Sequence, residues 1–108
     1  MAVKSSTTRR FGIFVVSGGV LRAGSNLYWE RLGEFENACA KLLAMPEPRL
    51  QLDLAEVDFM ASGFIGSITN LALKTARMEK KLVIRATLDI GWLFEIMGEG
   101  KLVELDII

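Results

Sequence analysis

The chain has 108 residues, one cysteine, no histidine and equal numbers of basic and acidic side chains, so its formal net charge is zero. That length makes one domain, able to bury a core without disulfides or metals. Lacking histidine, it has no Ser-His-Asp triad, Cys-His dyad or His-based metal site, and its neutrality argues against a nucleic-acid partner, which needs a basic excess to neutralise phosphates.

Residues 1–10, "MAVKSSTTRR", are polar and are expected to form a flexible N-terminus or a short edge strand, with the folded domain spanning 11–108. No signal-peptide core follows them. "FGIFVV" (Phe11 to Val16) is rich in β-branched and aromatic residues and stops at the turn signal Ser17-Gly18-Gly19. It reads as one strand, buried on both faces because it does not alternate. "GSN" (Gly24 to Asn26) then opens a helix, with Ser25 or Asn26 as its cap. Tyr28, Leu32, Phe35, Cys39 and Leu42 step by four and three along one apolar stripe, opposite Glu30, Glu34, Asn37 and Lys41. "MPEP" (Met45 to Pro48) ends that helix, since proline cannot continue it.

"RLQLDLAEV" alternates, with Leu50, Leu52 and Leu54 on one face and Gln51 and Asp53 on the other, so it reads as a half-covered strand. After Ser62, helical spacing returns at Phe64, Ile68, Leu71, Thr75 and Met78, while Ser67, Asn70, Lys74, Arg77 and Lys81 mark a wet face. "LVIRA" (Leu82 to Ala86) is a strand. "TLDIGWLFEIMGEG" is a short helix capped by Thr87 or Asp89 and ended by Gly98. "KLVELDII" closes as a strand. Strands alternating with helices give the α/β class: a mixed, mostly parallel sheet of four or five strands with three main helices. Crossovers should be right-handed, and ligands favour the carboxyl ends of the strands, where Ser62 lies.

"VDFMASGFIG" (Val57 to Gly66) sets a hydroxyl between an apolar strand end and an apolar helix. A helix start has four unpartnered N–H groups and a partial positive charge. Serine there has two compatible jobs. As N-cap its oxygen satisfies one donor; as a phosphate carrier it places negative charge where the helix end favours it.

The stretch "LDLAEVDFMASGFIGSITNLALKTARMEKKLVIRATLDIGWLFEIMGEGKLVEL" resembles a STAS domain, the family of bacterial anti-sigma factor antagonists and sulfate-transporter tails. The similarity runs from about Phe11 to Leu105 and includes "VSGGV", where the family has a Gly-x-Leu turn. The family loop reads Asp-Ser-Ser-Gly-Leu-Gly after an apolar strand end, and its first serine is the phosphorylation site of partner-switching antagonists. An ungapped alignment on Val57-Asp58-Phe59-Met60 puts Ala61 at the aspartate, Ser62 at the phosphorylated serine, Gly63 at the second serine, Phe64 at a glycine and Gly66 at the final glycine. A shifted alignment matches Ser62-Gly63 to the second Ser-Gly pair and leaves Ala61 at the acceptor. The ungapped one keeps Phe59-Met60 and Gly66 in place and is preferred.

Leu21 stands where the family often has an acid after its Gly-x-Leu, so two carboxylates are replaced by apolar groups near one corner. Many members also add a final helix after the last strand. The resemblance implies a cytoplasmic interaction module without catalysis or cofactor. Ser62 is its candidate phosphorylation site, and Leu21, Met60, Ala61, Ser62, Gly63 and Phe64 its candidate partner-binding residues. The implied partners are a serine kinase or anti-sigma factor and a phosphatase. The alternative is a non-phosphorylated STAS scaffold or subunit of a larger signalling, transport or secretion complex. For Met60 and Phe64 a plain core role is the competing reading, and the neutral charge leaves self-association open.

Other features carry less. Asp53, Glu56 and Asp58 share a strand and its loop without forming an acid–base pair. Cys39 falls on an apolar stripe and reads as buried and inert; the lone thiol also fits a reducing cytosol. "SGG" (Ser17 to Gly19) lacks a phosphate-loop pattern and reads as a turn. Lys74, Arg77 and Lys81 read as a solvated face, because Glu79 lies beside them. Of the two tryptophans, Trp92 reads as core, and one of the pair is a candidate for an exposed interface. No apolar run reaches the roughly 18–20 residues of a membrane span.

Overall fold

The computed structural model describes residues 8–96 and 102–108; Gly98 and residues 1–7 lie outside the described residues. The described elements are β1 (Arg9–Phe11), β2 (Phe14–Ser17), β3 (Val20–Ala23), α1 (Leu32–Leu43), β4 (Arg49–Leu54), α2 (Ser62–Arg77), β5 (Lys81–Ala86), α3 (Leu88–Ile96) and β6 (Glu104–Ile107). A 3-10 turn, Trp29–Arg31, leads into α1. The strands form one six-stranded sheet in the order β1-β2-β3-β4-β5-β6.

"FGIFVV" is not one strand. The chain reverses at Gly12-Ile13, pairing Phe11 with Phe14, and reverses again at Gly18-Gly19, pairing Ser17 with Val20. Gly18 and Gly19 have φ of 57° and 80°. A two-residue turn with positive φ at both positions is the type I′ hairpin, whose twist matches the flanking strands and which glycine adopts without steric cost. The result is an antiparallel β1-β2-β3 meander, and β2 alternates between buried Phe14 and Val16 and half-buried Val15 and Ser17. This meander raises the strand count to six.

From β3 onward all pairings are parallel. Right-handed crossovers between strands laid down in sequential order put every helix on one face. The inward rows agree. Phe14, Val16, Leu21, Ala23, Leu50, Leu52, Leu54, Leu82, Ile84 and Ala86 are buried there. Ring contacts link the layers: Phe14 to Phe35 and Phe35 to Phe64 each have centroids 5.3 Å apart. One aromatic line thus runs from β2 through α1 to α2. The opposite sheet face carries a charged row in register, Arg22, Asp53, Arg85 and Asp106. Arg85 bridges Asp53 at 3.5 Å and Asp106 at 3.9 Å, so Asp53 is nearly buried yet paired.

The stripes of α1 and α2 follow their apolar period and depart from it only at the ends. In α1, Phe35, Ala38, Cys39 and Leu42 are buried, but Tyr28 lies before the helix and is exposed. In α2, Phe64, Ile68, Leu71, Ala72 and Thr75 are buried, while Met78 is exposed at the C-cap. The chain then turns out of the helix through Glu79 at φ 58°. The Glu79 and Lys80 N–H groups donate to the Ala76 and Thr75 carbonyls, which is the Schellman arrangement. Lys81 accordingly opens β5 rather than continuing the helical wet face. In α3 the Thr87 carbonyl accepts the Gly91 N–H at 2.8 Å, so Thr87 holds the N-cap position and Asp89 sits in the first turn.

Candidate functional site

The corner where β4 hands over to α2 is held by the segment before α1. Asn26 does not cap a helix. Its Oδ1 accepts the N–H groups of Asp58 at 2.7 Å and Phe59 at 3.1 Å. Leu27 then pairs with Met60 as a parallel bridge: its N–H donates to the Phe59 carbonyl at 2.9 Å, and its carbonyl accepts the Ala61 N–H at 2.8 Å. The β3–α1 and β4–α2 connections are therefore stitched together, and α1 starts later than "GSN" suggests because that segment is spent on the stitch.

This pairing decides the state of Ser62. Ala61, extended by its bond to Leu27, occupies the N-cap position at φ −64° and ψ 148°. Ser62 becomes the first helical residue. Its hydroxyl is exposed and makes no hydrogen bond among the described residues, so the capping role expected for it is not used. The first turn of α2 contains no acidic side chain, leaving the partial positive charge of the helix start uncompensated by side chains.

The six candidate contact residues separate by burial. Ser62 and Gly63 are exposed and Ala61 is half-buried. Leu21, Met60 and Phe64 are buried in the core; for Met60 and Phe64 this is the plain core role weighed against the contact reading, and for Leu21 burial departs from the contact expectation. Each has a local reason. Leu21 lies in the inward row between Val16 and Leu52, Phe64 packs edge-on against Phe35, and Met60 is drawn in by its bridge to Leu27.

Three aromatic side chains take their place on the surface. Tyr28 and Phe59 are half exposed, with ring centroids 5.3 Å apart and planes inclined by 31°. Trp29 is 75% exposed. Sequence periodicity assigned Tyr28 to a buried stripe and left Phe59 as part of a strand end. The available signal is slight: in "NLYWE" Trp29 stands off the apolar spacing that includes Tyr28 and is followed by Glu30. Trp92, expected in the core, is 61% exposed on α3, where Leu88 and Ile96 flank it at helical spacing.

Cys39 lies at a groove of about 290 Å³ between α1 and α2, lined also by Glu36, Ser67, Asn70 and Lys74. Burial, reinforced by the Glu36 carboxylate and opposed by Lys74, pushes its thiol up to about 12. It is no nucleophile near neutral pH, because the thiolate is the reactive form. Among the described residues no group of three or more Cys, Asp or Glu side chains is placed to hold a metal ion, and no helix is long and apolar enough to cross a membrane.

No protein-family model matches the chain, and no curated protein matches it in sequence. Among solved structures, the chain is similar to the crystal structure of an anti-sigma factor antagonist from Mycobacterium paratuberculosis. The TM-score is 0.72 at 16% sequence identity, and the match covers 94% of this chain and 84% of the other. The chain has that α/β fold, in agreement with the STAS resemblance carried by its sequence.

Proposed function

We propose that this chain is a cytoplasmic protein–protein interaction module of the anti-sigma factor antagonist kind, and that the corner around Ser62 is its partner-binding surface. One observation carries this reading. Ser62, exposed and with no hydrogen bond to its hydroxyl among the described residues, follows the same stitched loops that carry Tyr28, Trp29 and Phe59, three exposed aromatics of the type that dominates binding energy at interfaces. The chain itself catalyses nothing in this scheme. A serine kinase of the anti-sigma type would dock at the corner and phosphorylate Ser62, and a phosphatase would reverse the step. The phosphate brings close to two negative charges, enough to alter a small interface through repulsion and desolvation.

A second reading is a scaffold that is never phosphorylated. Ala61, where the resembled loop has an aspartate, favours it. Mass spectrometry of the protein from its native cells, together with partner capture by the Ser62→Ala and Ser62→Asp variants, separates the two. Phosphate on Ser62 and a partner lost only from Ser62→Asp supports the switch. Ser62 unmodified in all growth conditions, with both variants capturing the same partners, supports the scaffold. Retention of every partner by the Trp29→Ala, Phe59→Ala double variant removes the corner from either reading.

A further inference from the structure

We infer that the Tyr28–Trp29–Phe59 corner receives a cationic segment of its protein partner, with arginine or lysine side chains laid on the aromatic rings. This rests on the proposed interaction role and specifies the chemistry of the partner. The rings of Tyr28 and Phe59 are half exposed and touch at an inclination of 31°, and Trp29 adds the most exposed large ring of the described chain.

The residues that directly adjoin these rings in the chain include two acids and no base. Arg31 is committed to Glu34 at 3.4 Å. Glu56 faces a different concavity, which it lines with Arg10 and Arg22. That leaves Glu30, next to Trp29, and Asp58, next to Phe59; both are exposed and form no ion pair among the described residues. The Asp58 backbone is pinned by Asn26, so its carboxylate is presented from a fixed point. Aromatic faces attract cations through their quadrupole, and adjacent carboxylates add a Coulomb term that steers a basic partner. Trp92 on α3 also has one carboxylate beside it, Asp89, but stands in an apolar row with Leu88 and Ile96 and has no second exposed ring against it among the described residues.

The test uses the full 108-residue chain. Amide and indole N–H resonances are followed by two-dimensional NMR at low salt while tetra-arginine amide is added, with tetra-glutamate as the contrasting probe. Saturable shifts are expected at the Trp29 indole and the Phe59 amide with tetra-arginine, and none with tetra-glutamate. The Trp92 indole, with one carboxylate and no second ring beside it, should shift much less. The Glu30→Gln, Asp58→Asn double variant should weaken the interaction by about two- to fivefold, from the loss of exposed charge–charge contacts with the rings kept. Absence of a saturable shift at Trp29, equal shifts at Trp92, or equal response to tetra-glutamate would overturn the inference. A cellular partner lost with Trp29→Ala but indifferent to Glu30→Lys and Asp58→Lys would also overturn it, while leaving the interaction reading intact.

Discussion

Asn26 Oδ1 accepts the Asp58 backbone N–H at 2.7 Å, joining two loops that are 32 residues apart in the chain. The same oxygen takes the Phe59 N–H, so one side chain sets the backbone from which both the Phe59 ring and the Asp58 carboxylate project. Asn26→Ala leaves two N–H groups to find water. The expected loss is about 1–3 kcal/mol, from two hydrogen bonds each worth roughly 1 kcal/mol net. Asn26→Asp, which keeps an acceptor, should recover most of it. Denaturant unfolding measures the loss, and faster amide exchange at Asp58 and Phe59 locates it.

Ser62 makes no capping bond, so Ser62→Ala should change stability by less than about 0.5 kcal/mol, against roughly 1 kcal/mol for loss of a working N-cap. Ser62→Asp should stabilise slightly, by about 0.3–1 kcal/mol at low salt, because a carboxylate at the first helical position meets the positive end of α2. Thermal unfolding of the two variants beside the parent chain checks both signs.

Burial makes Cys39 keep its proton to about 12, whereas an ordinary thiol loses it near 9.0. Below pH 9 folded and unfolded chains carry the same proton and this group adds no pH dependence. Between about 9 and 12 the unfolded state ionises first, so its share of stability falls as pH rises. Cys39→Ala should flatten that part of the profile, measured as unfolding free energy against pH. A thiol-specific reagent at pH 8 should label the denatured chain and leave the native chain almost untouched.

Glu79 holds a left-handed backbone at the end of α2, φ 58°, where glycine bears no Cβ penalty. Glu79→Gly is expected to stabilise the domain by about 0.5–1 kcal/mol, less than the full cost of a left-handed non-glycine residue because glycine also frees the unfolded chain. The denaturation midpoint should rise with no change in slope.

Phe35 stands between Phe14 and Phe64 in the line of rings that joins sheet, α1 and α2. Phe35→Ala should cost about 3–5 kcal/mol, a transfer loss plus an unfilled cavity. Equilibrium unfolding of the variant measures it.

Local periodicity determined much of this protein. The stripe of Phe35, Cys39 and Leu42, the stripe of Phe64, Ile68 and Leu71, and the alternation of Leu50, Leu52 and Leu54 all fall inward as their spacing requires. Spacing suffices there because each residue's face is set by its neighbours three, four or two positions away. Tertiary structure alone decided the rest. Leu21 is buried by its place in the sheet between Val16 and Leu52, while burial of Met60, exposure of Tyr28 ahead of α1 and the unbonded hydroxyl of Ser62 follow from Asn26 and Leu27 pairing with a loop far along the chain. A hydrogen bond between distant segments leaves no period in either of them, so the corner that carries the proposed function exists only once the sheet has brought both loops to the same edge.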